Sequence, residues 1–279
     1  MNDPINPRAN DWVRFAPGNP VLKGVNWGGL RTLYIKEVRR FFKVQMQTVW
    51  APAVTQLLYL VIFTVALGRS GRTIMGVHFT DFLAPGLIVM AMMQNAFANA
   101  SFSLLVGKIQ GNIVDYLMPP LSTGELIAGL VGAAVTRAVL VGFALWLVML
   151  LWPGVSVAVR RPELVLYFGL MGSLLLSFLG LMTSLWADKF DHAAAVTNFV
   201  VMPLSLLSGT FYSVKQLAPT FRAISHANPF FYVISGFRAG FLGTSDSPLL
   251  VGAVGLLVLN ILLWAACFGL LKSGWKIKN

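Results

Sequence analysis

The chain alternates long apolar runs with short polar connectors, and the length of each run limits what it can be. Six runs approach or exceed the roughly 20 apolar residues that one membrane-spanning helix needs. They cover about Val49–Leu67, Phe82–Val106, Leu126–Trp152, Leu164–Trp186, Ala193–Tyr212 and Leu249–Leu271. Ahead of them, Trp27–Lys43 has a different period. Trp27, Leu30, Tyr34, Val38, Phe41 and Phe42 fall on one arc at helical spacing. Thr32, Lys36, Arg39, Arg40 and Lys43 fall on the opposite arc, with Arg31 and Glu37 interrupting its edges. An aromatic face against a basic face predicts a helix lying in the membrane interface. Residues 1–26 carry Pro4, Pro7, Pro17 and Pro20 without a periodic apolar pattern, and read as a flexible tail. The expected architecture is an all-α membrane domain over 27–279, with six transmembrane helices after the interfacial one.

Two connectors are too rich to be plain turns. In Gly107–Glu125 the first half predicts a short helix carrying Lys108, Gln110, Asn112 and Asp115. Pro119 and Pro120 stop it, because proline lacks the amide hydrogen and clashes with the preceding turn. Ser122-x-x-Glu125 then forms a capping box that starts the next apolar helix. An ordinary solvated loop is the alternative for this stretch. The second connector, Ser213–Pro248, holds two short helices, Val214–Ser225 and Pro229–Leu242. Asn228 caps the second, with Pro229 in its first turn. That helix is too short to cross, so the pair is expected to be re-entrant or interfacial.

Composition sharpens the picture. The chain has 279 residues, of which 57% are hydrophobic and 11% charged; soluble domains carry about 25% charged residues. The net charge of +11 raises the question of nucleic acid. The basic residues instead concentrate in the first 48 positions and the tail, which suits anionic lipid. With the N-terminus inside, the inner segments hold thirteen Lys and Arg against seven in the outer ones. The positive-inside rule therefore places both termini in the cytoplasm. The first long apolar run begins only near Val49, so no secretory signal is expected. Cys267 stands alone inside an apolar run, which excludes a disulfide framework or a cysteine metal site.

Enzyme signatures are absent from the pattern. No G-x-x-x-x-G-K-[ST] phosphate loop occurs, and His78, His192 and His226 are scattered over both predicted faces. No catalytic residue and no metal site are expected. What stands out is polarity inside the spans. Asn95 and Asn99 sit one helical turn apart, near Gln94 and Ser103, and Arg137 lies inside the third run. A charge there costs about 2.5–3.5 kcal/mol on insertion scales. Such groups either line a transport path or fix helix packing; packing is favoured for the asparagines, and Arg137 stays open between the two. Pro203 predicts a kink in the fifth run, Asp188, Lys189 and Asp191 read as solvated turn charges, and Gly236-x-x-x-Gly240 is a weak signal for close helix approach. No Asp or Glu falls within any span, which counts against the alternative of a secondary transporter or channel working without an ATPase.

Four motifs, FLAPGLIVM at Phe82–Met90, DYLMPPLSTGELIAG at Asp115–Gly129, LSGTFYSV at Leu207–Val214 and NPFFYVISGFRAGFLG at Asn228–Gly243, occur in this order. Together they resemble the ABC-2 type transporter permeases, in the branch with nodulation-factor, polysaccharide and drug exporters. The resemblance runs from Trp27 onward. It implies a bacterial inner-membrane subunit that pairs with a second copy as a homodimer and with two copies of an ATP-binding-cassette ATPase. ATP and Mg would belong to that partner, with no cofactor in this chain. It maps a connecting helix onto Trp27–Lys43 and a coupling helix onto about Gly107–Leu117. Lys108, Gln110, Asn112, Asp115 and Tyr116 would meet the ATPase, Tyr116 as the aromatic anchor and Asp115 as the charge partner. The outer helices correspond to Val214–Leu242, with Asn228, Pro229, Gly236, Arg238 and Gly240. The implied cargo is amphipathic, lipid-linked, saccharide or drug-like, and moves outward.

Overall fold

A computed structural model describes residues 24–67, 73–74, 76–152 and 154–276. Most of the predicted tail, together with Arg69, Arg72 and Lys278, lies outside the described residues. The chain is mostly helical. Helix α1 spans Trp27–Phe42; α2, Ala51–Leu67; α3, Phe79–Ile109; α4, Val114–Leu117; α5, Thr123–Leu150; and α6, Pro162–Trp186. Then follow α7 (Phe190–Val196), α8 (Met202–Leu206), α9 (Pro219–Ala227), α10 (Pro229–Leu242) and α11 (Leu249–Ser273). A small hairpin before α3, which the sequence pattern did not foretell, pairs Thr73 with His78 and Ile74 with Val77.

Among the described residues, five helices are long and apolar enough to cross a membrane: Met46–Val65, Phe79–Ile109, Thr123–Leu150, Pro162–Trp186 and Leu249–Ser273. They correspond to five of the six predicted runs. The sixth, Ala193–Tyr212, is shorter and interrupted. It begins as α7, passes through a π turn at Thr197–Val201 and ends with α8 at Leu206. The Thr210 hydroxyl turns back onto the Ser205 carbonyl at 3.1 Å, and Gly209 takes φ 78°, so the helix stops short of Tyr212. A second π turn, Met46–Trp50, precedes α2. In both places a proline, Pro203 or Pro52, sits two residues beyond the π turn. Its missing amide and its ring disturb the preceding turn, which opens from i→i+4 to i→i+5. The predicted kink at Pro203 thus takes the form of a widened turn.

Helix α3 is the axis of the bundle and is buried along most of its length, packed by α5, α6 and α10. Small residues let the backbones close up: a Cβ on Gly180 of α6 would lie 2.6 Å from the Phe97 carbonyl oxygen. One apolar core, containing Phe82, Leu87, Met93, Phe97, Phe168 and Phe237, fills the half of the bundle where α3 begins. A second, with Leu33, Leu104, Leu130, Leu181 and Cys267, fills the half where it ends.

The connectors depart from prediction in two places. Lys108 belongs to α3 itself, which runs on to Ile109. Asn112 N donates to the Gly107 carbonyl at 2.8 Å and Gly111 takes φ 75°, the six-residue closure that ends many helices at a left-handed glycine. The separate helix after it is therefore only α4. In the other connector, Val214–Gln216 is a 3-10 turn and α9 begins only at Pro219, because a residue before proline is held extended, as Ala218 is (ψ 151°). Helix α10 has the predicted bounds, with the Asn228 side chain accepting from Phe230 N at 3.0 Å. Ser122 and Glu125 make the reciprocal capping box at the start of α5.

Candidate functional site

The end of the bundle where α3 finishes gathers most of the singled-out residues. Its centre is Glu37, which the aromatic and basic arcs of α1 left as an irregularity. Helix α1 buries Leu33, Glu37 and Phe41, a stripe rotated from the predicted aromatic arc. Trp27 is 72% exposed and Phe42 46%. Lys36, Arg39 and Lys43 are exposed as the basic arc requires, but Arg40 turns inward. Glu37 is 0% exposed. Its carboxylate accepts from Tyr116 Oη at 3.0 Å and from Ser103 Oγ at 3.0 Å, and pairs with Arg40 at 2.9 Å. A buried carboxylate is tolerated only with this kind of full partnering.

Helix α1 is held in place by α5. Asn26 N donates to Glu125 Oε1 at 2.6 Å, so the acid of the capping box also clips the start of α1. Further along, Tyr34 Oη shares a hydrogen bond of 2.7 Å with Thr136 Oγ1.

Tyr116 of α4 is 8% exposed and points into the bundle rather than outward. Its ring rests on Gly107, where a Cβ would come 3.2 Å from it, and Lys36 Nζ lies 3.7 Å from the ring centroid. Burial, then the neighbouring Glu37 charge, pushes its phenol above its ordinary range. The hydroxyl therefore stays protonated as a donor. The outward surface of this tip consists of Gln110, Asn112 and Asp115 together with Ile109, Val114, Leu117 and Met118. Met118 is 77% exposed and Val114 52%. An apolar cluster with one acid thus projects from the end of α3.

Lys108 faces the other way. Its Nζ donates to the carbonyls of Leu185 (2.9 Å) and Ala187 (2.7 Å) and pairs with Asp188 at 3.2 Å. Lys276, beyond α11, pairs with the other Asp188 oxygen at 3.3 Å. Asp188 is thus a bridge between three chain segments and not a plain solvated charge. The two lysine hydrogen bonds hold its carboxyl below the usual carboxylate range. These contacts put the ends of α3, α6 and α11 at one end of the bundle.

Inside the bundle, Arg137 Nη2 donates to Asn95 Oδ1 at 2.9 Å, and Asn95 Nδ2 donates to the Ala91 carbonyl at 3.0 Å. Arg40 Nη2 reaches the Asn99 carbonyl at 3.0 Å and Ser103 Oγ at 2.9 Å. Asn95, Asn99 and Arg137, singled out as intramembrane polar groups, therefore meet Arg40 at one junction of α1, α3 and α5.

At the opposite end, Arg238 is 2% exposed. Its Nε donates to the Phe82 carbonyl (3.1 Å) and its Nη2 to those of Gly209 (2.9 Å) and Thr210 (3.2 Å). Asp246 lies 3.6 Å from Nη1 and accepts from Ser213 Oγ at 2.7 Å. Arg238, one of the seven basic residues assigned to the outer segments by sequence, is buried: it clasps α10 to α3 and to the segment after α8. The run from Asp188 through α7 and α8 to Thr210 therefore links the two ends of the bundle. Gly236 and Gly240 face α6, against the Phe168 ring and Val165. The sequence pattern missed Glu37, Asp246 and also Asn260, a buried amide of α11 that donates to the Met171 carbonyl at 3.1 Å. Among the described residues no group of three His, Cys, Asp or Glu could hold a metal.

Comparison with known proteins identifies the family. The family model described as ABC-2 type transporter matches residues 29–242. An inner membrane transport permease, YadH of Escherichia coli K12, is 36% identical over 253 residues, covering 91% of this chain and 98% of YadH. Nodulation protein J of Neorhizobium galegae is 26% identical over 200 residues, 70% of this chain and 73% of that protein. Nodulation protein J of Rhizobium leguminosarum bv. viciae is 24% identical over 226 residues, 79% and 83% of the respective chains. The match extends from α1 through α10, and the chain belongs to the ABC-2 type transporter membrane family.

Proposed function

We propose that this permease subunit drives an amphipathic, lipid-linked, saccharide or drug-like cargo outward, using ATP hydrolysed with Mg by two copies of a separate ATP-binding-cassette subunit. Six crossings place both termini in the cytoplasm, the run from α7 to α8 serving as the fifth. The excess of Lys and Arg in the segments so placed supports this orientation. A second copy of the chain completes the pathway, and the stripe Val54, Leu58, Ile62 and Val65 along α2, more than half exposed at each position, suits the seam between copies.

The observation that carries the reading is the tip at the end of α3. It presents an exposed apolar cluster and Asp115 outward, while Tyr116 directly behind them is bonded to Glu37. A push on the tip therefore reaches α1 through one buried hydrogen bond and α3 through the Gly107–Tyr116 contact. The coupling surface is Gln110, Asn112 and Asp115 with Ile109, Val114, Leu117 and Met118; Tyr116 and Lys108 transmit from behind it.

The test is co-expression with the ATPase, measuring complex recovery, ATP hydrolysis and transport for Asp115→Lys beside Asp191→Lys, an exposed acid on the neighbouring turn. Asp115→Lys is expected to leave the permease in the membrane and to lose the ATPase or uncouple it. A normal complex with normal coupled transport in that variant would remove Asp115 from the coupling surface.

A further inference from the structure

The junction of α1, α3 and α5 has an imbalance that its internal hydrogen bonds do not remove. Among the described residues, three of its buried polar atoms have no partner: Arg40 Nη1, Arg137 Nε and Asn99 Nδ2. All three are donors, and two belong to cations. Asn99 is 2% exposed, so its free amide points into the bundle and not to solvent. Asn95 and Asn99, which accept from Arg137 and Arg40 respectively, lie one turn apart, about 6 Å along α3. The junction has one acid, Glu37, and it pairs with Arg40. No carboxylate among the described residues pairs with Arg137. A guanidinium in a span without a counter-charge is costly, and the cost falls if an anion completes the site.

We propose that this junction binds a phosphate-type oxyanion, held by Arg137 and Arg40 as its cations and by the Asn99 amide as a neutral donor. The chemistry fits: guanidinium groups bind phosphate oxygens through paired N–H donors, and an amide N–H₂ adds a third contact without further charge. The three free donors are themselves buried, and the junction reaches the bundle surface only along the Arg40 side chain, which is 29% exposed. Its place in the middle of two long apolar helices favours an anion delivered on an apolar tail, the headgroup of an anionic amphiphile, over a free hydrated ion. This inference rests on α3 and α5 being membrane spans, and not on the ATPase partner or the direction of transport.

The experiment measures thermal unfolding of the full chain in detergent with three additions: dioctanoyl phosphatidic acid, dioctanoylglycerol with the same tails but no phosphate, and inorganic phosphate. Phosphatidic acid is expected to raise the melting temperature saturably, and dioctanoylglycerol to have no such effect. A matching rise with inorganic phosphate assigns the site to the free ion; a rise with phosphatidic acid alone assigns it to a lipid headgroup. In either case Arg137→Gln should weaken half-saturation at least tenfold, while Arg39→Gln, at an exposed arginine of α1, should not. A second variant guards against misfolding. Asn99→Asp supplies the missing negative charge from within the chain, so it should raise the melting temperature without ligand and abolish the ligand-induced rise. The proposal is overturned if neither phosphate compound gives a shift that depends on Arg137, if dioctanoylglycerol stabilises equally, or if Asn99→Asp destabilises the ligand-free chain.

Discussion

Tyr116 Oη donates to Glu37 Oε1 at 3.0 Å, joining the tip beyond α3 to the amphipathic helix α1 across 79 residues of sequence. Both groups are buried, and the same carboxylate accepts from Ser103 of α3. One side chain therefore registers the position of three helices.

This link should be separable from folding. Tyr116→Phe keeps the ring on Gly107 and removes one hydrogen bond, a loss of about 0.5–1.5 kcal/mol. Thermal unfolding should shift modestly, while transport per ATP hydrolysed falls. Glu37→Ala should be far worse, about 3–5 kcal/mol, because it strands Arg40 and two hydroxyls. Equal and small effects of both changes on melting and on transport would show that the carboxylate is not the hub.

Asp188 gives a pH dependence. Its carboxyl titrates lower in the folded chain than in the unfolded chain because Lys108 and Lys276 hydrogen-bond its charged form. The stabilisation is thus present above the unfolded carboxylate value of about 3.9 and fades as pH falls through the lower folded value. Wild type and Asp188→Asn should differ in melting temperature at neutral pH and converge in acid. A difference that persisted below that window would place the effect elsewhere.

The clasp at the other end predicts sensitivity to a conservative change. Arg238→Lys retains the charge but lacks the fork that reaches Phe82, Gly209 and Thr210 together. Arg238→Met leaves Asp246 buried and unpaired, with an expected cost of about 3–5 kcal/mol. Recovery of folded protein from membranes should drop for both, more for Met. Full recovery of either would mean that the clasp contributes little.

Topology can be read against a silent background, since the single native cysteine, Cys267, is 0% exposed. Cysteines placed at Lys215 or Arg222 should react with a membrane-impermeant maleimide from outside the cell, and those at Gln110 or Asp115 only after the membrane is opened. Labelling of both pairs from one side would exclude the six-crossing arrangement.

Much of this architecture was legible because its signals are local. Runs of apolar residues, the Ser122–Glu125 box and the Asn228–Pro229 helix start are each complete within a few adjacent positions. Glu37 was not legible, since its partners Ser103 and Tyr116 lie 66 and 79 residues away and a carboxylate between Lys36 and Val38 reads as surface. The rotation of the buried stripe on α1 follows from that error. The burial of Arg238 was not legible for the same reason: its acceptors are backbone carbonyls of α3 and of the segment after α8, which leave no trace in composition. The end of α3 was a different kind of miss, because Gly111 offered a local stop signal that the prolines downstream overshadowed. Asn95, Asn99 and Arg137 were recognised singly, but their convergence with Arg40 needed the packing of α1 onto α5.

The two π turns bear on how spans of this kind can change in length over evolution. Each holds one residue more than the α turn it replaces. A one-residue deletion within Met46–Trp50 or Thr197–Val201 can therefore be absorbed by closing an ordinary turn, with the flanking helices keeping their facing. The same deletion elsewhere in a span would rotate everything beyond it by about 100° and turn lipid-facing side chains into the bundle. Natural gaps inside the spans of related sequences should therefore cluster at these two turns.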